Sequence, residues 1–178
     1  MRLATSLAAL LASATLAAPA FADGDGHSHG HDHGERRELG AHVHGHATLS
    51  LAVEGESVEM ELEIPAESVV GFEYAPESDA DRAAVETAMA TLSDPAALFT
   101  LPEGCTVGAT EVEHHVEGDH AEFHAEYAMT CTGAFEAVET TLFEAFPEIE
   151  EIEVEYATPA GQGAGELEPG EPRLAIGA

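Results

Sequence analysis

Residues 42–65, HVHGHATLSLAVEGESVEMELEIP, decide the fold, because side-chain character there switches at almost every step. Val43, Ala47, Leu49, Leu51 and Val53 share one parity, while His42, His44, His46, Thr48 and Ser50 share the other. A period of two is the mark of a strand with one face on a core and one in water. After Glu54-Gly55-Glu56 the pattern resumes, with Val58, Met60, Leu62 and Ile64 alternating with Glu59, Glu61 and Glu63 until Pro65 stops it. Two such runs across a short Gly-containing turn make a hairpin. The domain is therefore expected to rest on a sheet with one wet face.

Downstream, Ser78 with Asp81 three residues on reads as a capped helix start, and Val85, Met89 and Leu92 recur at helical spacing. A helix over 79–92 follows. Asp94-Pro95 opens a short helical turn that Pro102 and Gly104 end. A second hairpin runs from Cys105 to Cys131 with Glu117-Gly118 at its tip, and Val112, Val116, Phe123, Tyr127 and Met129 facing inward. Residues 135–146 suit either a helix or a strand followed by one helical turn before Pro147, and we prefer the second. Ile152, Val154 and Tyr156 alternate with Glu151, Glu153 and Glu155 in a further strand, a Gly-rich segment around Gly161 returns the chain, and 173–176 form a last piece pairing at an edge. The expected class is α+β, a single domain of mainly antiparallel sheet with one face covered by one or two helices.

On the N-terminal side, Arg2, the Ala/Leu run from Leu3 to Ala18 and the Ala20-Phe21-Ala22 cleavage site before Asp23 read as a secretory signal over 1–22. Residues 23–40 open with DGDGHSHGHDHG, which has no large apolar side chain and cannot repay the entropy of ordering. They are read as a flexible His-rich metal-binding tail and linker, leaving 41–178 as the folded domain. No later segment is apolar for long enough to span a bilayer, so no membrane insertion is expected after cleavage. Cys105 and Cys131 are the only cysteines, and export to an oxidising space favours a disulfide between them.

Charge excludes whole classes of partner. The 178 residues carry 35 Asp and Glu against five Arg and no Lys, a formal charge of -30. Nucleic acid and anionic membranes need clustered cations, which this chain lacks. Removing the leader with Arg2 leaves four cations against 35 acids, or -31. Period-two Glu on the wet face places like charges across neighbouring strands, which is destabilising unless bound cations, high salt or splaying into water offset it.

The eleven His fall in three stretches. His42, His44 and His46 are read as three imidazoles on one strand face, with Gly45 permitting the bend that brings them to one ion. On the hairpin, a Glu117-Gly118 turn sets His115 opposite His120, Glu113 opposite Glu122 and Glu111 opposite His124, with His114 on the core side. His115, His120, His124 and Glu122 then form a second ligand group. His27, His29, His31 and His33 in the tail make a flexible chelator. Imidazole with carboxylate suits zinc, with nickel or copper as chemical alternatives.

The signal, the His-rich mature N-terminus, Ala41-His42-Val43-His44-Gly45, Gly71-Phe72-Glu73-Tyr74-Ala75-Pro76, Asp94-Pro95-Ala96-Ala97-Leu98-Phe99, Leu142-Phe143-Glu144-Ala145-Phe146-Pro147, Gly161-Gln162-Gly163 and Pro172-Arg173-Leu174 together resemble the ZrgA-like family. The resemblance covers nearly the whole mature chain. It implies a zinc-regulated, zinc-binding protein of the Gram-negative periplasm that supports uptake through an ABC-type membrane importer. Two features depart from the family: Tyr74 stands where relatives often have His, and the hairpin loop is short where relatives carry a long His run. A zinc-binding, non-enzymatic protein is the leading reading. Its rivals are a zinc hydrolase using His115, His120, His124 and Glu122, and an acidic surface protein whose His are incidental; the first lacks a His-Glu-x-x-His motif.

Overall fold

The structure is a computed structural model that describes residues 43–177. The signal, the tail with His27, His29, His31 and His33, and His42 lie outside the described residues. Among those described, no helix is long and apolar enough to cross a membrane.

The elements run β1 (His46–Glu54), β2 (Ser57–Pro65), α1 (Ala66–Val70), α2 (Asp79–Leu92), α3 (Pro95–Leu98), β3 (Cys105–Glu117), β4 (His120–Cys131), β5 (Ala137–Glu139), α4 (Leu142–Ala145), β6 (Glu151–Thr158), β7 (Gly161–Leu167) and β8 (Arg173–Ala175). Six strands form one sheet in the order β3-β4-β2-β1-β6-β7. The neighbours are antiparallel except β1 and β6, which run parallel. The 173–176 piece joins β5 in a separate two-stranded sheet rather than an edge of the large one. The class is α+β, as the alternation implies.

Strands β1, β2, β4 and β6 each bury one parity, while the outer strand β3 is at most half-buried. Leu49, Leu51, Met60, Leu62, Phe123, Tyr127, Ile152 and Val154 pack beneath Val85, Ala88 and Leu92 of α2, with Leu98, Phe99, Val138, Leu142 and Ile149 in the same core. Helix α2 has the full capping box: the Ser78 side chain accepts from Asp81 N, and the Asp81 carboxylate accepts from Ser78 N. Its far end is tied to the sheet by Tyr127, whose buried hydroxyl donates to Leu92 O at 2.9 Å. Burial pushes the Tyr127 phenol well above its ordinary pKa, so it is a permanent donor. Cys105 and Cys131 face each other at the base of the β3–β4 hairpin and are bonded. Closing a loop of this length stabilises the fold by about 3 kcal/mol in the chain-entropy model.

Three local expectations change. Strand β1 starts at His46, not His42, because His44 and Gly45 form a turn closed by His46 N donating to Val43 O. Gly45 has φ 81, a left-handed value that a continuous strand does not contain, and Val43 is consequently 59% exposed rather than inward. The second hairpin turns one residue later, at Gly118-Asp119, with Glu117 paired to His120. Gly118 thereby takes the first turn position, where its φ of 65 is easy for glycine and strained for Glu117. Val116, expected inward, lies near this tip beyond the core and is 40% exposed. The bulge needed to bring Cys105 opposite Cys131 is present at Gly108, between Val107 and Ala109.

Candidate metal centres

The open face of the sheet carries Glu59, Glu61 and Glu63 of β2, Glu126 and His124 of β4, Glu111 and Glu113 of β3, and Glu153 and Glu155 of β6. Its middle is a broad cleft of about 810 Å³ that includes Glu59, Glu61, Glu111, Glu126 and Glu155 but no His. The imidazoles gather toward the end where β1 and β4 begin and β2 stops.

At that end the His44-Gly45 turn is pinned from two sides. Gly45 N donates to the buried Ser68 hydroxyl of α1 at 3.0 Å, and Gly45 O accepts from Glu150 N and Glu151 N. The chain can enter α1 directly from Pro65 because Ala66 and Ser68 are small enough to bury there. This docking brings His44 Nε2 to 2.5 Å from Glu67 Oε2 and 3.5 Å from Glu73 Oε1. Glu73 sits between Phe72 and Tyr74, whose rings stack at 4.8 Å, and its side chain is only 18% exposed. Its other oxygen lies 3.6 Å from His120 Nδ1. Three donors from three segments thus converge, His44 of the turn, Glu67 of the helix and Glu73 of the loop, all within 4.8 Å of one another, and His120 at the start of β4 meets Glu73 alone.

A second cluster lies on the sheet face itself. His124 Nε2 is 2.7 Å from Glu122 Oε1, and His124 Nδ1 is 3.7 Å from Glu63 Oε1. The ligand atoms of His124, Glu61 and Glu63 all stand within 4.8 Å of one another. His115, bonded to Glu113 at 2.9 Å, meets the His124 ring edge-on with centroids 4.9 Å apart.

The distances fall into two groups with different meanings. The contacts of His124 with Glu122 at 2.7 Å and of His115 with Glu113 at 2.9 Å are hydrogen bonds, in which one imidazole proton lies between nitrogen and oxygen. Contacts of 3.5–3.7 Å are too long for that. In a tetrahedral zinc shell with ligands at ~2.0–2.1 Å, neighbouring donor atoms stand roughly 3.4 Å apart. The longer spacings of His44–Glu73, His120–Glu73 and His124–Glu63 lie within a few tenths of an ångström of that separation.

The expected ligands are therefore distributed differently from a strand-face triplet. His44 and His46 part company at the turn, and His46 Nδ1 faces Glu151 at 3.4 Å. His115 stands opposite Glu122, not His120, and Glu113 opposite His124. His120 joins His44 through Glu73, four residues along β4 from His124. His114 is on the core side against Phe123, where burial and, secondarily, the neighbouring His115 hold its pKa below the ordinary imidazole value. Four carboxylates were missed by sequence reasoning as ligands: Glu67, Glu73, Glu61 and Glu63. Glu61 and Glu63 could have been found, since their parity puts them on the His124 face; nothing local marks Glu67.

Two imidazole–carboxylate clusters at an open sheet define an α+β protein equipped to hold divalent metal. The chain belongs to the ZrgA family: the model of that family, described as a ZrgA family zinc uptake protein, matches residues 41–176. Among curated proteins, none matches the chain. Family description and disulfide together fit an exported protein.

Proposed function

We propose that the protein captures and buffers zinc in the periplasm and supports its delivery to an ABC-type membrane importer, the ion being cargo and not a catalyst. The carrying observation is the convergence of His44, Glu67 and Glu73, with His120 at the far oxygen of Glu73. His44 and His120 each approach a different oxygen of one half-buried carboxylate at near-ligand spacing. Neutral imidazole is the ligand form, so metal binding at His44 and His120 competes with protons. The tail imidazoles His27, His29, His31 and His33, followed by His42, would collect zinc ahead of this centre, and His46, His115 and His124, the last held by Glu122, are further imidazoles at the same end of the sheet. Imidazole with carboxylate would also suit nickel or copper, so ligand type alone does not select zinc.

The test is a zinc titration of residues 23–178 against a competing chelator, with His44→Ala and Glu73→Gln beside the parent. Losing one ligand from the tight centre should weaken it by at least tenfold while the circular dichroism spectrum stays unchanged. Equal affinity in all three proteins would remove this centre from the function. A chain starting at Glu35 should keep the tight site and lose only weak, rapidly exchanging ions.

A further inference from the structure

We infer that the sheet face holds a second, separate metal centre, in which His124 Nδ1, Glu61 and Glu63 are the ligands and the buried Glu122 is not a ligand but the group that orients His124. It rests on the zinc reading only for the identity of the ion.

The argument starts from the two nitrogens of one ring. An ionised carboxylate can only accept hydrogen bonds, so the 2.7 Å contact of His124 Nε2 with Glu122 requires the proton to sit on Nε2. The Nδ1 lone pair is then left facing Glu63 at 3.7 Å, with Glu61 alongside. A metal-bound His whose far N–H is held by a carboxylate is a recurrent arrangement, since the carboxylate fixes the tautomer and raises ligand basicity. Here the orienting group is buried, its side chain 11% exposed, while Glu63 and His124 remain 32% and 24% exposed. An ion can reach the donors; the orienter is held in place.

The register builds this geometry. Glu63 is paired with His124 across β2 and β4, and Glu61 with Glu126 two residues along, so Glu61 and Glu63 flank the ring on its own face. Glu113 pairs with His124 from the other side. One imidazole and two carboxylates neutralise a divalent ion, and the ion in turn relieves the like-charge pairing of Glu61 with Glu126. His115, edge-on to His124, is the nearest group for a fourth position. This centre cannot merge with the first: His120 and His124 are four residues apart on one strand, ~13 Å. At the His44 centre one ring nitrogen, Nε2, faces both carboxylates, whereas at His124 the two ring nitrogens face different carboxylates, Glu122 and Glu63.

The experiment uses the whole mature chain, 23–178, with zinc alone as the probe. Ions retained against a competing chelator are counted by native mass spectrometry in the parent, in His124→Ala, in Glu63→Gln and in Glu122→Gln, each also combined with His44→Ala. His124→Ala and Glu63→Gln should each lose one ion, additively with the ion lost in His44→Ala. Glu122→Gln should keep the site but weaken it by roughly 10- to 100-fold. Nitrogen-15 spectra of the imidazoles give a second readout: His124 should carry its proton on Nε2 before zinc is added, and zinc should move Nδ1. An unchanged ion count in both His124→Ala and Glu63→Gln, or a His124 resonance that zinc leaves in place, overturns the inference. Loss of an ion in His44→Ala beside silence at His124 would overturn it while leaving the proposed function standing; the reverse pattern would sink the His44 centre alone.

Discussion

Gly45 is the residue on which the first centre turns. Its φ of 81 is disfavoured for residues with a side chain, and an added Cβ would stand 3.0 Å from Glu150 Cγ. Gly45→Ala should therefore cost about 1–2 kcal/mol of stability. It should also pull His44 away from Glu67 and Glu73, because the Gly45 N–H bond to Ser68 is what sets the turn. Thermal unfolding and zinc titration of the same variant check both effects; a stable variant with parent affinity would show that the turn is dispensable. The sequence places a Gly between two His without revealing which way it bends the chain. A bulge that converges the imidazoles and a turn that separates them are equally open to glycine, and the Ser68 hydroxyl that selects the turn lies 23 residues away. His44 and His120 were singled out in the sequence, and the structure brings both beside Glu73. Glu73 itself was not singled out as a ligand, because tertiary contacts alone bring the loop to them.

Elements were legible where the pattern was local. Helix α2 occupies the expected 79–92 because Ser78 and Asp81 cap it reciprocally and its apolar positions recur on one face. Hydrogen bonds donated to the Asp81 carboxylate by the Ser78 backbone N–H and then the Ser78 side chain, joined by Glu77 N, hold it below its ordinary pKa. A carboxyl whose pKa is lower folded than unfolded stabilises fully above the unfolded value near 3.8, and that stabilisation disappears as pH falls through the lower folded value. The cap should thus survive mild acid and fail only below pH ~4. Ser78→Ala should cost about 1 kcal/mol at neutral pH, and its deficit relative to the parent should shrink in strong acid. Unfolding midpoints of the two proteins at pH 7 and pH 3 measure this; an equal deficit at both would deny the carboxylate its part. Hairpin parity was legible too, and the one-residue shift of the turn preserved it, exchanging only the cross-strand partners. What could not be read was the parallel pairing of β1 with β6, since some 90 residues separate these strands and alternation names no neighbour.

At the scale of the molecule the dominant quantity is charge, and the sheet concentrates it. Glu61 stands opposite Glu126, which stands opposite Glu111, and Glu153 stands opposite Glu166. Among the described residues the only Arg are Arg82 and Arg173, each engaged with a carboxylate, Asp79 and Glu139, away from this face. Across the strands one row reads Glu113, His124, Glu63, Thr48, Glu153 and Glu166, and the next Glu111, Glu126, Glu61, Ser50 and Glu155, so of these two only the first has an imidazole among its carboxylates. Folding therefore gathers anions that the unfolded chain keeps further apart, and the resulting repulsion must be carried by the apolar layer beneath. Salt weakens that repulsion, the screening length falling from ~30 Å at 0.01 M to ~10 Å at 0.1 M. The midpoint of thermal unfolding should rise steadily between 0.01 and 0.5 M sodium chloride, the opposite of a protein held together by surface ion pairs. Zinc should add a further rise at micromolar concentration, saturating with the number of tight sites, because it binds the folded arrangement in preference to the dispersed one. Magnesium at the same micromolar level lacks imidazole affinity and should give little. If micromolar magnesium stabilised as well as zinc, the sheet would be a general cation sink, and the imidazoles would lose their claim to selectivity.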